Sequence, residues 1–157
     1  MTPKNSIQKL ETRRIIKITN PAEYLQLLDN LEPLWKDENL DRGHVFPINK
    51  DSLAQIANAQ LLTWEYHIWS NSSLDSVIIF HSGWNILFGK TVFQEVLWLS
   101  KSHCGIKLLK TALSFARAQK YDLLMMGSAD KMNNPKLTRL YNKINLQKDG
   151  EIWVGKM

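Results

Sequence analysis

The last third of the chain carries an apolar pattern that restricts the fold more than any other part of the sequence. Phe93–Leu99 reads as a strand, Ser100–Gly105 as a short polar loop, and Ile106–Lys120 as a helix with one apolar face. Asp122–Met126 reads as a second strand, and Asn134–Tyr141 begins a further helix. A helix that connects two neighbouring strands makes them parallel. The pattern therefore predicts a βαβ unit whose loop, at a helix N-terminus, suits a phosphate-bearing ligand.

Two helices are predicted after a first short strand. Ile15–Ile18 is an apolar run that ends at Asn20-Pro21, a pair typical of a helix start. Apolar residues at helical spacing follow, and we expect Pro33 to end or bend this helix. Asp51–Gln60 predicts a second, short helix.

Three strands are predicted between these helices and the βαβ unit. Alternating apolar residues predict one strand from Leu62 to Ile68, and Val77–Phe80 predicts a buried second one. Ile86–Leu99 predicts the third, with a break or bulge at Gly89. Gly150 interrupts a last pair of short strands around Gln147 and Ile152–Val154, and the coarse order is β-α-α-β-β-β-α-β-α-β. The expected architecture is one α/β domain over residues 1–157, a mixed central sheet flanked by about four helices.

Composition indicates the compartment and argues against a metal centre. The single cysteine, Cys104, excludes an internal disulfide framework and is typical of a reducing compartment. No segment reaches the ~18 apolar residues of a membrane helix, and the N-terminus lacks a signal-peptide pattern. We therefore expect a cytoplasmic protein without a membrane partner. The four histidines have no metal-ligand spacing with acidic or cysteine residues, so no metal site is predicted. A homodimer is compatible with the sequence, which leaves the oligomeric state open.

The net charge of +5 is unevenly distributed along the chain. Residues 99–157 carry eleven basic and four acidic side chains, whereas residues 18–98 carry four basic and ten acidic ones. A basic C-terminal part beside an acidic middle suits a polyanionic cofactor together with a cationic or amine substrate. A solvated surface of uneven sign and a nucleic-acid groove are the alternatives that the sequence leaves open.

Residues near the C-terminus resemble those of a known enzyme family. Asn134 precedes Tyr141 by seven residues, and their helix runs into Asn145-Leu146, where the family has Gly-Phe. Asparagine is well suited to replace glycine in a left-handed turn. The element order and these residues resemble the GNAT acetyltransferase superfamily. Glu95–Ser100 is similar to the cofactor-flanking strand of GNAT-like proteins encoded by bacteriophages. The resemblance covers residues 86–157 well and residues 15–85 by element order.

The resemblance implies an N-acetyltransferase that moves acetyl from acetyl-CoA, its cosubstrate, to a primary amine on a small molecule or protein. Direct attack would take place in a ternary complex, with Glu95 as general base and Tyr141 as general acid. The backbone of Trp98 and Leu99 would hold the pantetheine arm. The other cofactor-binding residues would lie in the phosphate loop, the helix start after it, and the cap of the last helix: His103, Cys104, Gly105, Ile106, Lys107 and Asn134.

The phosphate loop departs from the family pattern, and this departure supports a second interpretation. His103 stands where the family has its first glycine, and Ser100 where it has Arg or Gln. Tyr141 could equally be a core tyrosine, Glu95 a strand glutamate paired with lysine, and Asn134 a helix cap. The alternative is a catalytically inactive GNAT-derived protein or nucleic-acid binding module, such as a phage component. A nucleic-acid partner is the less favoured of these readings.

Overall fold

The computed structural model describes residues 14–37, 48–58, 60–101, 103–127 and 135–146. Its five strands are β1 Ile15–Ile18, β2 Tyr66–Asn71, β3 Ser76–Asn85, β4 Lys90–Ser100 and β5 Leu123–Met125. Its helices are α1 Pro21–Asp37, α2 Lys50–Ala54, α3 Leu61–Trp64, α4 Gly105–Ala118 and α5 Pro135–Lys143. The predicted last pair of short strands, around residues 147 and 152–154, lies outside the described residues.

The strands form one mixed sheet in the order β1-β2-β3-β4-β5. The first four are antiparallel to their neighbours, and β4 pairs with β5 in parallel. Helix α4 is the crossover between these two parallel strands. The α/β class, the mixed sheet and the predicted βαβ unit are therefore confirmed, with the one-turn helix α3 as an additional element.

Helices cover both faces of the sheet. Alternate strand residues point to opposite faces, so neighbouring residues of one strand pack against different helices. Side chains on one face pack with α1 in a cluster that includes Ile68, Val77 and Ile79. Their sequence neighbours Trp69 and Ile78 pack with α4 on the other face. We call these the α1 layer and the α4 layer.

Helix α1 begins as predicted but continues past the proline that was expected to end it. Asn20 caps it, since its Oδ1 accepts the backbone N–H of Ala22 at 2.8 Å. Of the two expected outcomes, an end or a bend at Pro33, the first is wrong, because the helix runs to Asp37. Leu31 and Trp35 on either side of Pro33 are buried in the core. Their packing outweighs the one hydrogen bond that a proline removes.

Three other boundaries differ from the prediction. Leu62 belongs to the one-turn helix α3, where Trp64 N–H donates to Gln60 O at 3.0 Å, and the strand starts only at Tyr66. Apolar residues two apart do not distinguish one helical turn from a strand over so short a segment. Residues 86–89 form the turn between β3 and β4, which Gly89 closes with a φ of 60°. Helix α2 ends at Ala54, earlier than expected.

Candidate active site

Strands β4 and β5 separate after three paired positions. Val92–Gln94 pairs with Leu123–Met125, after which β4 continues to Ser100 while β5 ends. The paired end is fixed by Asp122, whose Oδ2 accepts from the backbone N–H and the hydroxyl of Thr91 at 3.0 and 2.9 Å. Beyond the pairs, the β4 edge towards β5 offers backbone groups to an extended ligand. We call this region the β4–β5 opening.

A bulge in β4 determines which side chains face the α4 layer at this opening. Glu95 pairs with Phe80 and Leu97 with Ile79, so Val96 is the extra residue. In a regular strand Glu95 and Trp98 would point to opposite faces. Across the bulge both pair with residues of the α4 layer, Phe80 and Ile78, and Trp98 packs against that layer. The sequence pattern gave no sign of this bulge, because Glu95–Ser100 contains no glycine or proline.

Glu95 is a largely buried carboxylate with an atom that lacks a partner. Its Oε2 has no hydrogen-bond partner among the described residues. Burial raises the pKa of Glu95 to about 7, although a hydrogen bond from the backbone N–H of Gly127 acts in the opposite direction. A carboxylate with these properties can exchange a proton near neutral pH.

Tyr141 reaches the same backbone segment from α5. Its hydroxyl donates to the carbonyl oxygen of Gly127 at 2.7 Å. Burial raises the pKa of Tyr141, and the neighbouring charge of Glu95 adds to the effect. The hydroxyl therefore keeps its proton near neutral pH.

Gly127 is the residue that brings the two predicted catalytic groups together. Its N–H binds Glu95 and its C=O accepts from Tyr141, just beyond the end of β5. A Cβ built on Gly127 would have no neighbour within 4 Å among the described residues, so these leave space beside the backbone at this point. Sequence reasoning missed this residue. The only available signal was a glycine two residues after a predicted strand.

Helix α5 is held in place by apolar residues near its C-terminal end and closed by a specific turn. Leu140 and Ile144 pack against the α4 layer. Leu146 N–H donates to Tyr141 O at 2.9 Å and Asn145 N–H to Asn142 O at 3.1 Å, while Asn145 has a φ of 60°. This is a Schellman motif, so the prediction that Asn145 takes the left-handed conformation of a glycine is confirmed.

In the predicted phosphate loop, a histidine adopts the left-handed backbone conformation that is typical of glycine. His103 is exposed and has a φ of 55°, in the left-handed region. A Cβ on Gly105 would lie 3.3 Å from Ser100 Cβ and 3.4 Å from Trp98 Nε1. The missing side chain of Gly105 therefore permits close packing of α4 on β4.

The remaining predicted cofactor residues differ in what they can offer. Cys104 is only 3% exposed, so a ligand could meet its backbone but not its thiol. Leu99 is buried in the α1 layer and likewise offers only its backbone. Ile106 and Lys107 are exposed on the first turn of α4, where helical N–H groups lack intrahelical partners. Asn134 lies outside the described residues.

No group of three or more metal-ligating side chains occurs in the part of the chain that the structure describes. Nor is any described helix long and apolar enough to cross a membrane.

Solved structures with a similar fold include acetyltransferases. No protein-family model and no curated protein matches the chain. An aminoglycoside acetyltransferase from an uncultured soil metagenomic sample, in complex with sisomicin, has a TM-score of 0.64 at 12% identity, covering 92% of this chain and 95% of its own. A probable acetyltransferase gives 0.58 at 18% identity, covering 92% and 96%.

A third match acts on a protein, according to its name. The ribosomal-protein-alanine N-acetyltransferase from Brucella melitensis biovar Abortus 2308 has a TM-score of 0.55 at 14% identity, covering 92% of this chain and 99% of that one. At such identities the likeness concerns the fold. The chain therefore has the fold of these acetyltransferases, which confirms the predicted GNAT-like architecture.

Proposed function

We propose that this protein is an N-acetyltransferase of the GNAT type, which moves an acetyl group from acetyl-CoA to a primary amine. The observation that carries the proposal is the convergence of Glu95 and Tyr141 on Gly127 beside the β4–β5 opening. The acetyltransferase fold of the neighbours supports the reaction class.

The residues present fit acetyl-CoA as the cosubstrate. The edge of β4 at Trp98 and Leu99, which β5 does not pair with among the described residues, suits the amide-containing pantetheine arm. The N-terminus of α4, with Ile106 and Lys107 exposed, suits the pyrophosphate because helix N-termini attract anions. Lys101 and Lys110 are exposed nearby in the sequence and add positive charge. Acetyl-CoA supplies an activated thioester.

Glu95 and Tyr141 would handle the two protons of the reaction. Glu95 accepts the proton of the ammonium group, and the neutral amine then attacks the thioester carbonyl. The C–N bond forms and the C–S bond breaks. Tyr141 donates its proton to the departing thiolate, exchanging its hydrogen bond with Gly127 for one with sulfur, and the second proton that the acylated nitrogen loses restores the Tyr141 hydroxyl. Gly127 positions both side chains. Because the amine attacks the thioester directly, the reaction needs no enzyme nucleophile.

The acceptor is proposed only as a primary amine. The neighbours named above include one that acetylates aminoglycosides and one named for a ribosomal-protein alanine. These names support both a small-molecule and a protein amine as candidate acceptors here.

A non-catalytic GNAT-derived binding protein is the second candidate, and the phosphate loop favours it. An exposed His103 occupies the left-handed position, and Gly105 packs against Trp98 rather than leaving space at the loop. Both features reduce the room for a pyrophosphate.

Calorimetric titration of acetyl-CoA into the purified protein separates the two candidates. We expect micromolar binding if the protein is an enzyme, and no heat at millimolar ligand would refute that proposal. Tyr141→Phe should then reduce turnover by about 10²-fold while leaving acetyl-CoA affinity within about twofold. Tyr121→Phe is a matched control, because Tyr121 is also a tyrosine packed against the α4 layer, where its ring stacks on Phe93. Equal turnover in Tyr141→Phe and the parent protein would exclude Tyr141 as the acid.

A further inference from the structure

Three polar side chains are completely buried where strands β2 and β3 meet at their turn. Ser70, Asn71 and Ser76 each have a relative exposure of 0%. A buried polar group costs free energy unless it is hydrogen-bonded, so each such group is explained by the contacts that it makes. One contact of Ser76 reaches a part of the chain far from this turn in the sequence.

The Ser76 hydroxyl fixes the first residue of the predicted phosphate loop beyond β4. Backbone pairing between β3 and β4 reaches Ser76 and Ser100. One residue further, the backbone N–H of Lys101 donates to Ser76 Oγ at 2.9 Å. A side chain of β3 therefore continues the ladder by one hydrogen bond, at the point where the loop leaves the sheet.

The turn between β2 and β3 in its own turn holds Ser76. The Ser76 N–H donates to Asn71 Oδ1 at 3.2 Å, and the Ser76 carbonyl oxygen accepts from Ser70 Oγ at 2.7 Å. The Ser76 hydroxyl donates its proton to Asp75 Oδ1 at 3.2 Å, so its oxygen faces the N–H of Lys101 as an acceptor. With its backbone and its hydroxyl both fixed, Ser76 presents that acceptor in one orientation.

The other end of the loop is tied back to the end of β4. Ser100 Oγ and Cys104 Sγ lie 3.8 Å apart in a hydrogen bond that involves sulfur, and Cys104 directly precedes α4. Beside it, His103 holds a φ of 55°, a conformation that a non-glycine residue keeps only where its surroundings impose it. The two side-chain contacts, one at each end, are such surroundings.

We propose that Ser76 is a positioning residue for the pyrophosphate of acetyl-CoA and acts through the backbone of Lys101. The inference rests on the proposed function, in which the start of α4 meets this group. Backbone N–H groups bind an anion well when they already point to one place, because no ordering is then required on binding. The same hydrogen bond fixes the backbone of the exposed Lys101, whose charge the proposed function places nearby.

Calorimetric titration of two ligands into the parent protein and into Ser76→Ala tests this role. The ligands are acetyl-CoA and S-acetylpantetheine, a thioester that lacks the pyrophosphate and the nucleotide. We expect Ser76→Ala to bind acetyl-CoA about fivefold to tenfold more weakly, the effect of one lost hydrogen bond, and to bind S-acetylpantetheine within about twofold of the parent. A merely structural role would weaken the binding of both ligands equally, and that result would overturn the proposal.

Ser70→Ala is the matched control. Ser70 is equally buried in the same turn and donates to the Ser76 carbonyl, but no hydrogen bond joins its side chain to the loop among the described residues. We expect Ser70→Ala to lower the urea midpoint as Ser76→Ala does, while its affinity for acetyl-CoA stays within about twofold of the parent. An equal loss of affinity in the two variants would assign the effect to the whole turn and refute the specific role of Ser76.

Amide hydrogen exchange examines the same hydrogen bond in the unaltered protein, so a variant that does not fold leaves the proposal testable. In the absence of ligand, the Lys101 amide should exchange at least about 10²-fold more slowly than in an unfolded chain, although it lies beyond the last ladder pair. Exchange at the rate of an unfolded chain would show that the loop is not held in place, and the proposal would then fail.

The outcomes distinguish this proposal from the acetyltransferase proposal. If the parent protein binds acetyl-CoA and Ser76→Ala binds it equally well, the positioning role is wrong and the enzyme proposal stands. If the parent protein binds no acetyl-CoA at millimolar concentration, the enzyme proposal fails and the positioning role fails with it.

Discussion

A carboxylate that accepts a proton near neutral pH needs a pKa close to that pH, and Glu95 has surroundings that provide one. The bulge at Val96 turns it towards the α4 layer, where its Oε2 finds no partner among the described residues. Burial then disfavours the charged form. The residue type was available from the sequence, but its pKa follows from strand pairing that no local pattern specifies.

Activity should therefore follow the ionisation of Glu95. Because only the carboxylate can act as base, kcat/KM should rise with pH to a plateau above about 7, the pKa of Glu95. Glu95→Gln should lower kcat/KM about 10²-fold and abolish this rise. The measurement is a pH series of initial rates with acetyl-CoA and a primary amine. Glu65→Gln, at an exposed position, is the control, and an unchanged pH profile in Glu95→Gln would rule out the base role.

The same pKa predicts a change in stability that is independent of catalysis. The pKa of Glu95 is about 7 in the folded state and near 4.5 when unfolded, so its favourable contribution is complete below about pH 4.5 and is lost as pH rises through 7. Between pH 5 and 8 the parent protein should lose about 2 to 3 kcal/mol more unfolding free energy than Glu95→Gln. Urea unfolding at both pH values measures the difference. Parallel losses would mean that Glu95 is not buried as described.

At the scale of elements, the sequence predicted what depends on local periodicity and missed what depends on pairing. The βαβ unit, the Asn20 cap and the left-handed Asn145 follow from spacing and residue type, and all three are confirmed. Helix α1 continues through Pro33 because of tertiary packing, which no local signal reports. The β4–β5 opening depends on where two distant strands separate.

The turn after α5 should matter for both stability and the site. Asn145→Ala places an alanine at a φ of 60°, which should destabilise the protein by about 1 kcal/mol, while Asn145→Gly should be neutral or better. Because the Schellman bond from Leu146 ends on Tyr141 O, fraying there displaces the Tyr141 hydroxyl, and turnover should fall in Asn145→Ala. Urea unfolding and initial rates measure the two effects.

Asn142→Ala is the matched control for this turn. Asn142 is exposed three residues earlier, inside α5, where alanine is favourable. It should leave stability within about 0.5 kcal/mol. An Asn145→Ala protein as stable as this control would contradict the role assigned to the left-handed turn.

At the scale of the whole molecule, an aromatic cluster joins the sheet to α4 around a buried histidine. The centroid of the His67 ring lies 4.8 Å from the centroid of the Phe115 ring and 5.6 Å from that of the Phe93 ring. Lys17 Nζ lies 3.9 Å from the centre of the Phe115 ring, which connects β1 to the same cluster. Four histidines were visible in the sequence, but nothing in their spacing indicated which one was buried.

His67 should make the whole fold sensitive to acid. Its Nε2 lies 3.1 Å from Ser82 Oγ, and its buried Nδ1 has no partner among the described residues. Burial, with the nearby charges of Lys17 and His81, lowers the pKa of His67 to about 4. The folded state thus holds the ring neutral, whereas the unfolded chain protonates it near 6.5. The resulting stability is complete above about pH 6.5 and is lost as pH falls towards 4.

Replacing His67 should remove this part of the acid sensitivity. Between pH 7.5 and 4.5, the unfolding free energy of the parent protein should fall by about 2 kcal/mol more than that of His67→Gln. His67→Gln also loses ring packing at both pH values, so the comparison uses the difference between the two pH values for each protein. His103→Gln, at an exposed position, should behave like the parent. If His67→Gln loses as much stability as the parent on acidification, the ring is not held neutral, and the acid sensitivity of the fold must come from its carboxylates.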